Sequence, residues 1–372
     1  MKNYLETRDR LLNHWHIHTI NLSLLEIHTF MEEKRTEIAS LGEFGLIDHL
    51  TRENETKNAS TLLSIGDDAA VIDTFGKQMV ISTDMLVEGV HFDLMYMPLK
   101  HLGYKAVIVN LSDIYAMNAE PTQITLSIAI SNRFSVEALD EFYEGVNLAC
   151  ERYGVDLIGG DTTSSQKGLV ISITAIGEVE ENKFVTRSGA KEGDLICVTG
   201  DLGASYMGLL LLEREKKIYL ENPGVQPDLE NQKYVLERFM KPEAGKNMVH
   251  WMKENNLMPT SMIDISDGLS SEILHICKQS ELGCVIYEDK LPIHEETKLN
   301  AQKFGIASTT AALNGGEDYE LLFTISPTEF EKVKECELLN IIGHMTNSSE
   351  GRKFLTNSNV KIDISAQGWK HI

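Results

Sequence analysis

The chain has 372 residues, of which 42% are hydrophobic and 24% charged, enough for a large core and, at this length, for two domains. Its 34 basic residues against 56 acidic ones give a net charge of −22, which disfavours nucleic acid and anionic membrane surfaces and means that an anionic ligand needs a cation to mediate. No run approaches the roughly 18 apolar residues of a membrane span, and Cys150, Cys197, Cys277, Cys284 and Cys336 form no CxxC pair, which fits reduced thiols in a cytoplasmic protein.

Residues 1–30 read as an extension. The stretch "NHWHIHTINLSLLEIHTF" lacks a secretory apolar region and a small-residue cleavage site. His14, His16 and His18 alternate as metal ligands can, but a non-essential extension is the expectation, with Met31 before "EEKRTEIASLGEFGLIDHL" as the expected true start. "SLGEFGLIDHL" then predicts a short helix. "KQMVISTD" (77–84) and "GLVISITAIGEV" (168–179) predict strands rich in Val and Ile. Between them, residues 98–117 predict a helix with Leu102, Ala106, Val109 and Ile114 along an apolar stripe. A second helix is predicted over 135–154, with Gly154 as its C-cap. Alternating strands and helices make this half α/β or α+β.

A turn-rich stretch, "VTRSGAKEGD", places the domain boundary near residue 183, giving domains over 31–183 and 184–372. The strand "LICVT", a helix from "GASYMGLLLLEREKK" and a polar loop "ENPGVQPDLENQ" follow. "TSMIDISDGLSSEI" (260–273) joins an apolar strand to a helix through Asp264, Ser266 and Asp267. "DYELLFTI" (318–325) is a further strand, bounded by "NGG".

Two carboxylates at one strand–helix joint raise the question of what holds them together. One can cap the helix; a second repels the first unless a cation lies between. The same pattern recurs. Asp67 and Asp68 follow a Gly turn, Asp84 stands at the end of a strand beside Ser82 and Thr83, and Asp113 lies among apolar neighbours. Asp161 follows a Gly pair, and Glu317 and Asp318 follow "NGG". Oxygen-only ligands suit a hard cation, Mg²⁺ rather than zinc, and Mg²⁺ takes one or two carboxylates plus phosphate oxygens. The set therefore points to several ions holding a polyphosphate, although each Asp taken singly also fits a turn or a cap. Standard nucleotide signatures (GxxxxGK[ST], GxGxxG, HRD with DFG) are absent, as is GxSxG. Arg187 is a candidate phosphate clamp, and His91 follows the Asp84 segment closely.

In order, "GEFGLI", "IGDDAA", "ISTDMLVEGVHF", "YKAVIVNLSDIYAMNAEP", "LIGGDTT", "TRSGAKEGD", "DISDGLSSE" and "NGGEDYELLF" together resemble the thiamine-monophosphate kinase family. That family belongs to the superfamily of aminoimidazole ribonucleotide synthetase. The resemblance implies an α/β N-terminal domain that dimerises through its sheet and an α+β C-terminal domain. It implies ATP-dependent phosphorylation of thiamine monophosphate to thiamine diphosphate, the last step of that cofactor's biosynthesis, by a cytoplasmic homodimer. Metal ligands are implied at Asp68, Ser82, Thr83, Asp84, Asp113, Asp161, Asp264 and Asp267. ATP contacts are implied at Tyr143, Gly160, Asp161, Arg187 and Ser266, and substrate contacts at His91, Glu317 and Trp369. The acceptor is a phosphate whose second pKa is about 6, so no general base is expected. Transfer would be direct and in line, assisted by several Mg²⁺ ions. A two-metal hydrolase, a cation-binding protein without turnover and an ATP-dependent synthetase of the superfamily stay open as alternatives.

Overall fold

Along residues 77–87 the side chains alternate. Gln78, Val80 and Leu86 are buried, whereas Thr83 and Met85 are exposed. This period of two defines a strand with one covered and one open face, and it puts Ser82 and Asp84 on the covered side. The computed structural model describes residues 61–63, 66–74 and 76–366. All belong to a unit spanning Glu53–His371. Its first sheet comprises β1 (Thr61–Leu63), β2 (Ala70–Asp73), β3 (Lys77–Val87), β4 (Glu120–Ile130), β5 (Asp156–Ser164) and β6 (Val170–Glu180). The strand order is β1-β2-β3-β6-β4-β5, antiparallel except for the parallel β4–β5 pair.

Two helices cover this sheet, α1 (Leu99–Ala116) and α2 (Val136–Tyr153). At the start of α2, Ser135 accepts a hydrogen bond from the Ala138 amide, and Gly154 ends the helix in the left-handed conformation, as the sequence predicts. The helices cross with almost no gap. A Cβ on Gly103 would lie 2.0 Å from the Phe142 carbonyl oxygen, and one on Gly145 would lie 1.9 Å from that of Lys100. Only glycine fits at either position. Helix α1 departs from its predicted apolar stripe, since fourteen of its eighteen residues are buried, Lys105, Asn110 and Ser112 among them. It is wrapped on all sides, against β3, β6, α2 and the second sheet, so polar residues on it must find partners inside the protein.

The second sheet comprises β7 (Leu195–Thr199), β8 (Ser261–Asp264), β9 (Gly283–Tyr287), β10 (Leu321–Ile325), β11 (Leu339–Thr346), β12 (Arg352–Leu355) and β13 (Lys361–Asp363). Its order is β13-β12-β9-β11-β7-β10-β8, antiparallel except for β12–β9. The helices of this half are α3 (Ala204–Glu221), α4 (Lys233–Met240), α5 (Lys246–Glu254), α6 (Leu269–Gln279), α7 (Glu295–Lys303), α8 (Ser308–Asn314) and α9 (Phe330–Val333). One hydrophobic core runs from α1 into this half through Met248, Met252, Met262 and Phe323, and a second lies under α6. No helix among the described residues is long and apolar enough to cross a membrane.

Three local expectations change. Asp84 lies within β3 rather than at its end, and Asp161 lies within β5 rather than in a turn. Neither Asp264 nor Asp267 caps α6: its N-cap is Gly268 at φ 114°, without a side-chain cap. Instead Glu272 reaches back and accepts a hydrogen bond from the Asp267 amide at 3.0 Å, which satisfies a main-chain donor just before the helix. Residues 1–60, with the expected helix at 40–50, and Trp369 lie outside the described residues.

Candidate functional site

Where the first sheet and α1 meet the end of β8, carboxylates from four separate chain segments converge. Asp68 follows the turn at Gly66, whose φ of 129° favours glycine. Asp84 comes from β3, Asp113 from the last turn of α1, and Asp264 from the last position of β8. One oxygen from each of Asp68, Asp113 and Asp264 lies within 4.8 Å of the others. Asp84 stands close enough to Asp113 for each to shift the other's acidity.

Small polar groups orient this set. Ser82 Oγ donates to Asp113 Oδ2 at 2.5 Å and contacts the Asp68 carbonyl oxygen at 3.2 Å. Ser112 Oγ donates to Asp264 Oδ2 at 2.6 Å, and the Asp84 amide donates to Asn110 Oδ1 at 3.0 Å. The Arg187 guanidinium pairs with Asp68, and its backbone amide donates to Asp67 Oδ1 at 2.8 Å. Asp68 Oδ2 and Arg187 Nε are buried without a hydrogen-bond partner.

Four carboxylates face one guanidinium, and their acidities show the strain. Burial raises Asp68, opposed by Arg187. Burial pushes Asp84 up to about 6, with Asp113 opposing the rise and Asp68 adding to it. Asp113 stands well above the usual carboxylate range, through burial and then through Asp84, Asp264 and Asp68. Burial and Asp68 push Asp264 up to about 7. Convergent, desolvated carboxylate oxygens with an unpartnered Asp68 oxygen form a donor set that fits a hard divalent cation.

The remaining predicted residues fall into two groups. Asp267 and exposed Ser266 continue the chain from Asp264, and the Glu317 amide donates to the Ser266 carbonyl at 2.7 Å. His91 folds back so that its Nδ1 accepts from the Val87 amide at 3.0 Å. Other residues stand away from the cluster within one chain. Thr83 lies on the open face of β3, where its hydroxyl donates to the Ile173 carbonyl and accepts from Thr174. Gly160 and Asp161 are on exposed β5, three strands from β3 and so roughly 14 Å away. Half-buried Tyr143 packs edge-on against Phe142 on α2.

Sequence reasoning missed Asn110, Ser112 and Lys105. A polar "N-L-S-D" inside an apolar helical run was the available signal, because buried polar groups require partners. Lys105 Nζ lies 3.0 Å from Glu317 Oε1, and its side chain is 2% exposed. A second buried network surrounds Arg238. Its guanidinium donates to Glu320 Oε1 at 2.8 Å and to the carbonyls of Asp201 and Asp318, while Asp318 Oδ2 accepts from the Gly203 amide at 2.8 Å. Thr199 bonds Glu320, and Tyr234 bonds Asp201.

The family profile described as AIR synthase related protein, N-terminal domain matches residues 66–179, and that described as AIR synthase related protein, C-terminal domain matches residues 191–355. The thiamine-monophosphate kinase of Bacillus subtilis is 34% identical over 337 residues, covering 89% of this chain and 99% of the relative. That of Aquifex aeolicus is 34% identical over 343 residues, covering 90% and 99%. A solved structure of AaThiL complexed with AMPPCP and TMP superposes with a TM-score of 0.77 at 32% identity, covering 91% of this chain and all of the other.

Proposed function

The chain belongs to the thiamine-monophosphate kinase family, and from that premise we propose that it transfers the γ-phosphoryl group of ATP directly and in line to thiamine monophosphate, at the carboxylate cluster, with several Mg²⁺ ions. The observation that carries this reading is the convergence of Asp68, Asp113 and Asp264, residues far apart in sequence, to within 4.8 Å. Asp68, Ser82, Asp84, Asp113, Asp264 and Asp267 hold the metals; Thr83 and Asp161 join that set on the family resemblance. When bound, Mg²⁺ supplies charge neutralisation between two polyanions and orients their phosphate oxygens.

The chain's own groups do the rest. Arg187 offers a guanidinium to phosphate oxygens, and Ser266, Tyr143, Gly160 and Asp161 contact the nucleotide. His91, Glu317 and Trp369 hold the acceptor. An acceptor oxygen of thiamine monophosphate is already ionised near neutral pH, its second pKa being about 6. It attacks the γ-phosphorus, the bond to the β-phosphate oxygen breaks, and ADP leaves. No side chain removes a proton and no phosphoenzyme forms. Catalysis is positioning and electrostatics.

The domains run over 31–183 and 184–372 after the extension at 1–30. The functional form is a homodimer joined through the first sheet. Support comes from its open face and edge, where Met85 is 56% and Ile158 59% exposed, an apolar surface that a partner would cover.

The test is chromatography of purified protein incubated with ATP, Mg²⁺ and thiamine monophosphate. Thiamine diphosphate and ADP in equal amounts, abolished by EDTA, are expected. ADP without thiamine diphosphate would make the protein a hydrolase or a relative with another acceptor.

A further inference from the structure

Lys105 sits where a cation is hard to keep. The residue is 1% exposed, and a buried ammonium is tolerated only with partners. It has three. Glu317 Oε1 is 3.0 Å away, the Phe239 carbonyl accepts at 3.1 Å, and the Phe239 ring centroid lies 4.1 Å from Nζ. Lys105 belongs to α1, in the first half of the chain, and its partners belong to the second.

Glu317 is unusual for its backbone. It adopts φ 63°, and Tyr319 adopts φ 52°, both left-handed and unfavourable for residues with a Cβ. The Glu317 and Tyr319 amides donate to the carbonyls of Ser266 and Ile265 at 2.7 and 2.9 Å. The main chain at Glu317 is therefore braced on the segment carrying Asp264 and Asp267, and its carboxylate is braced on α1. The Glu317 side chain remains 27% exposed, so part of the carboxylate is open to a ligand. Behind Lys105, the Phe239 ring packs against Tyr96, with centroids 6.3 Å apart, and Tyr96 lies on the same loop as His91.

We propose that Lys105 is a positioning residue for the acceptor: it fixes the orientation of the Glu317 carboxylate, and helix α1 thereby sets the distance between the acceptor and the carboxylate cluster. This rests on Glu317 contacting the acceptor. Asp113 lies two turns further along α1, about 12 Å at 1.5 Å per residue, so one rigid rod carries both the acceptor's anchor and a member of the cluster. In-line transfer is sensitive to misplacement of about 1 Å, which gives that rod its value. With one carboxylate oxygen held by Lys105, the other faces a donor or cation on the acceptor's heterocyclic portion. The nucleotide makes no use of this arrangement.

The test is Lys105→Met in the full chain, a substitution that keeps the stem against the Phe239 ring. The expected result is a KM for thiamine monophosphate raised roughly ten- to a hundredfold, with the KM for ATP changed less than about twofold. Thermal stability should stay close to wild type, because the partly exposed Glu317 can be hydrated. Lys105→Gln, which keeps one donor, should fall between. If the methionine variant does not fold, the glutamine variant carries the same comparison. Equal shifts in both KM values, or none in either, would reduce Lys105 to a packing residue and overturn the proposal. Wild-type protein that forms no thiamine diphosphate would remove the functional reading beneath it.

Discussion

The carboxylate cluster and the Arg238 network are alike in composition and opposite in design. Each gathers several buried carboxylates around one guanidinium. In the network, Asp318, Glu320 and Asp201 are spread around Arg238, and each accepts a bond from a different group, Gly203, Thr199 and Tyr234, although Asp318 Oδ1, Asp201 Oδ1 and Arg238 Nε have no partner. Burial, opposed by Arg238, leaves Asp318 at about 7, so the network can stay close to neutral by keeping a proton. In the cluster, the oxygens point at one another, Arg187 reaches only Asp68, and one Asp68 oxygen has no partner. Both leave buried polar atoms unpartnered, but only the cluster aims its oxygens at one shared point, where a cation from outside would sit. Convergence, not the number of acidic residues, separates a ligand site from a scaffold.

The comparison breaks most visibly at Arg238. Arg238→Met strands its carboxylates, and urea unfolding should register a loss of about 3–5 kcal/mol. A loss below about 1 kcal/mol would mean that the network is not self-contained. At the cluster the effect should move from stability to turnover. Asp84→Asn is expected to lower kcat about a hundredfold or more while the thermal midpoint in EDTA holds or rises, since a desolvated charge has gone. Near-normal kcat would make Asp84 a plain strand residue.

The acidities sharpen the contrast further. Asp84 and Asp264 rise from 3.8 to about 6 and about 7 on folding. Between those limits and the unfolded value the folded chain holds more protons than the unfolded one, so stability falls as pH rises through that window. Melting in EDTA should therefore occur at a lower temperature at about pH 8 than at about pH 5, and Mg²⁺ should shrink the difference. The part that survives Mg²⁺ belongs to buried carboxylates outside the cluster, Glu272, Asp318 and Glu320, and Asp318→Asn should reduce it. An EDTA melt independent of pH would count against desolvated carboxylates at the site. The smallest effect is expected at exposed Asp161. Asp161→Asn should change unfolding free energy by no more than about 0.5 kcal/mol, and a larger change would mean that β5 depends on that charge.

Much of this was legible beforehand. The strands at 77–84 and 168–179, both helices of the first half, the Gly154 cap and the strand–helix joint at 260–273 stand where period and punctuation put them. The ordered motifs named the family. What stayed hidden has a common physical origin. Helix α1 is covered on every side, so its apolar stripe dissolves and Lys105, Asn110 and Ser112 look misplaced until their partners from other segments are known. The joint before α6 looked like a side-chain cap because Asp and Ser favour caps; a Gly268 at positive φ and the contact from Glu272 to the Asp267 amide replaced it. Asp264 ends β8 and Asp318 lies just before β10, and only the three-dimensional directions of their oxygens distinguish scaffold from site. Short strands such as β12 and β13 carry too few residues for a period to show.

The enclosure of α1 also governs how the protein comes apart. A helix held by the first sheet, by α2 through two glycine contacts and by β8 has no edge at which local opening can begin. Its amides should be among the slowest to exchange with deuterium, opening only when the whole unit unfolds. Since that helix carries both Lys105 and Asp113, these two groups keep or lose their places together, when α1 itself opens.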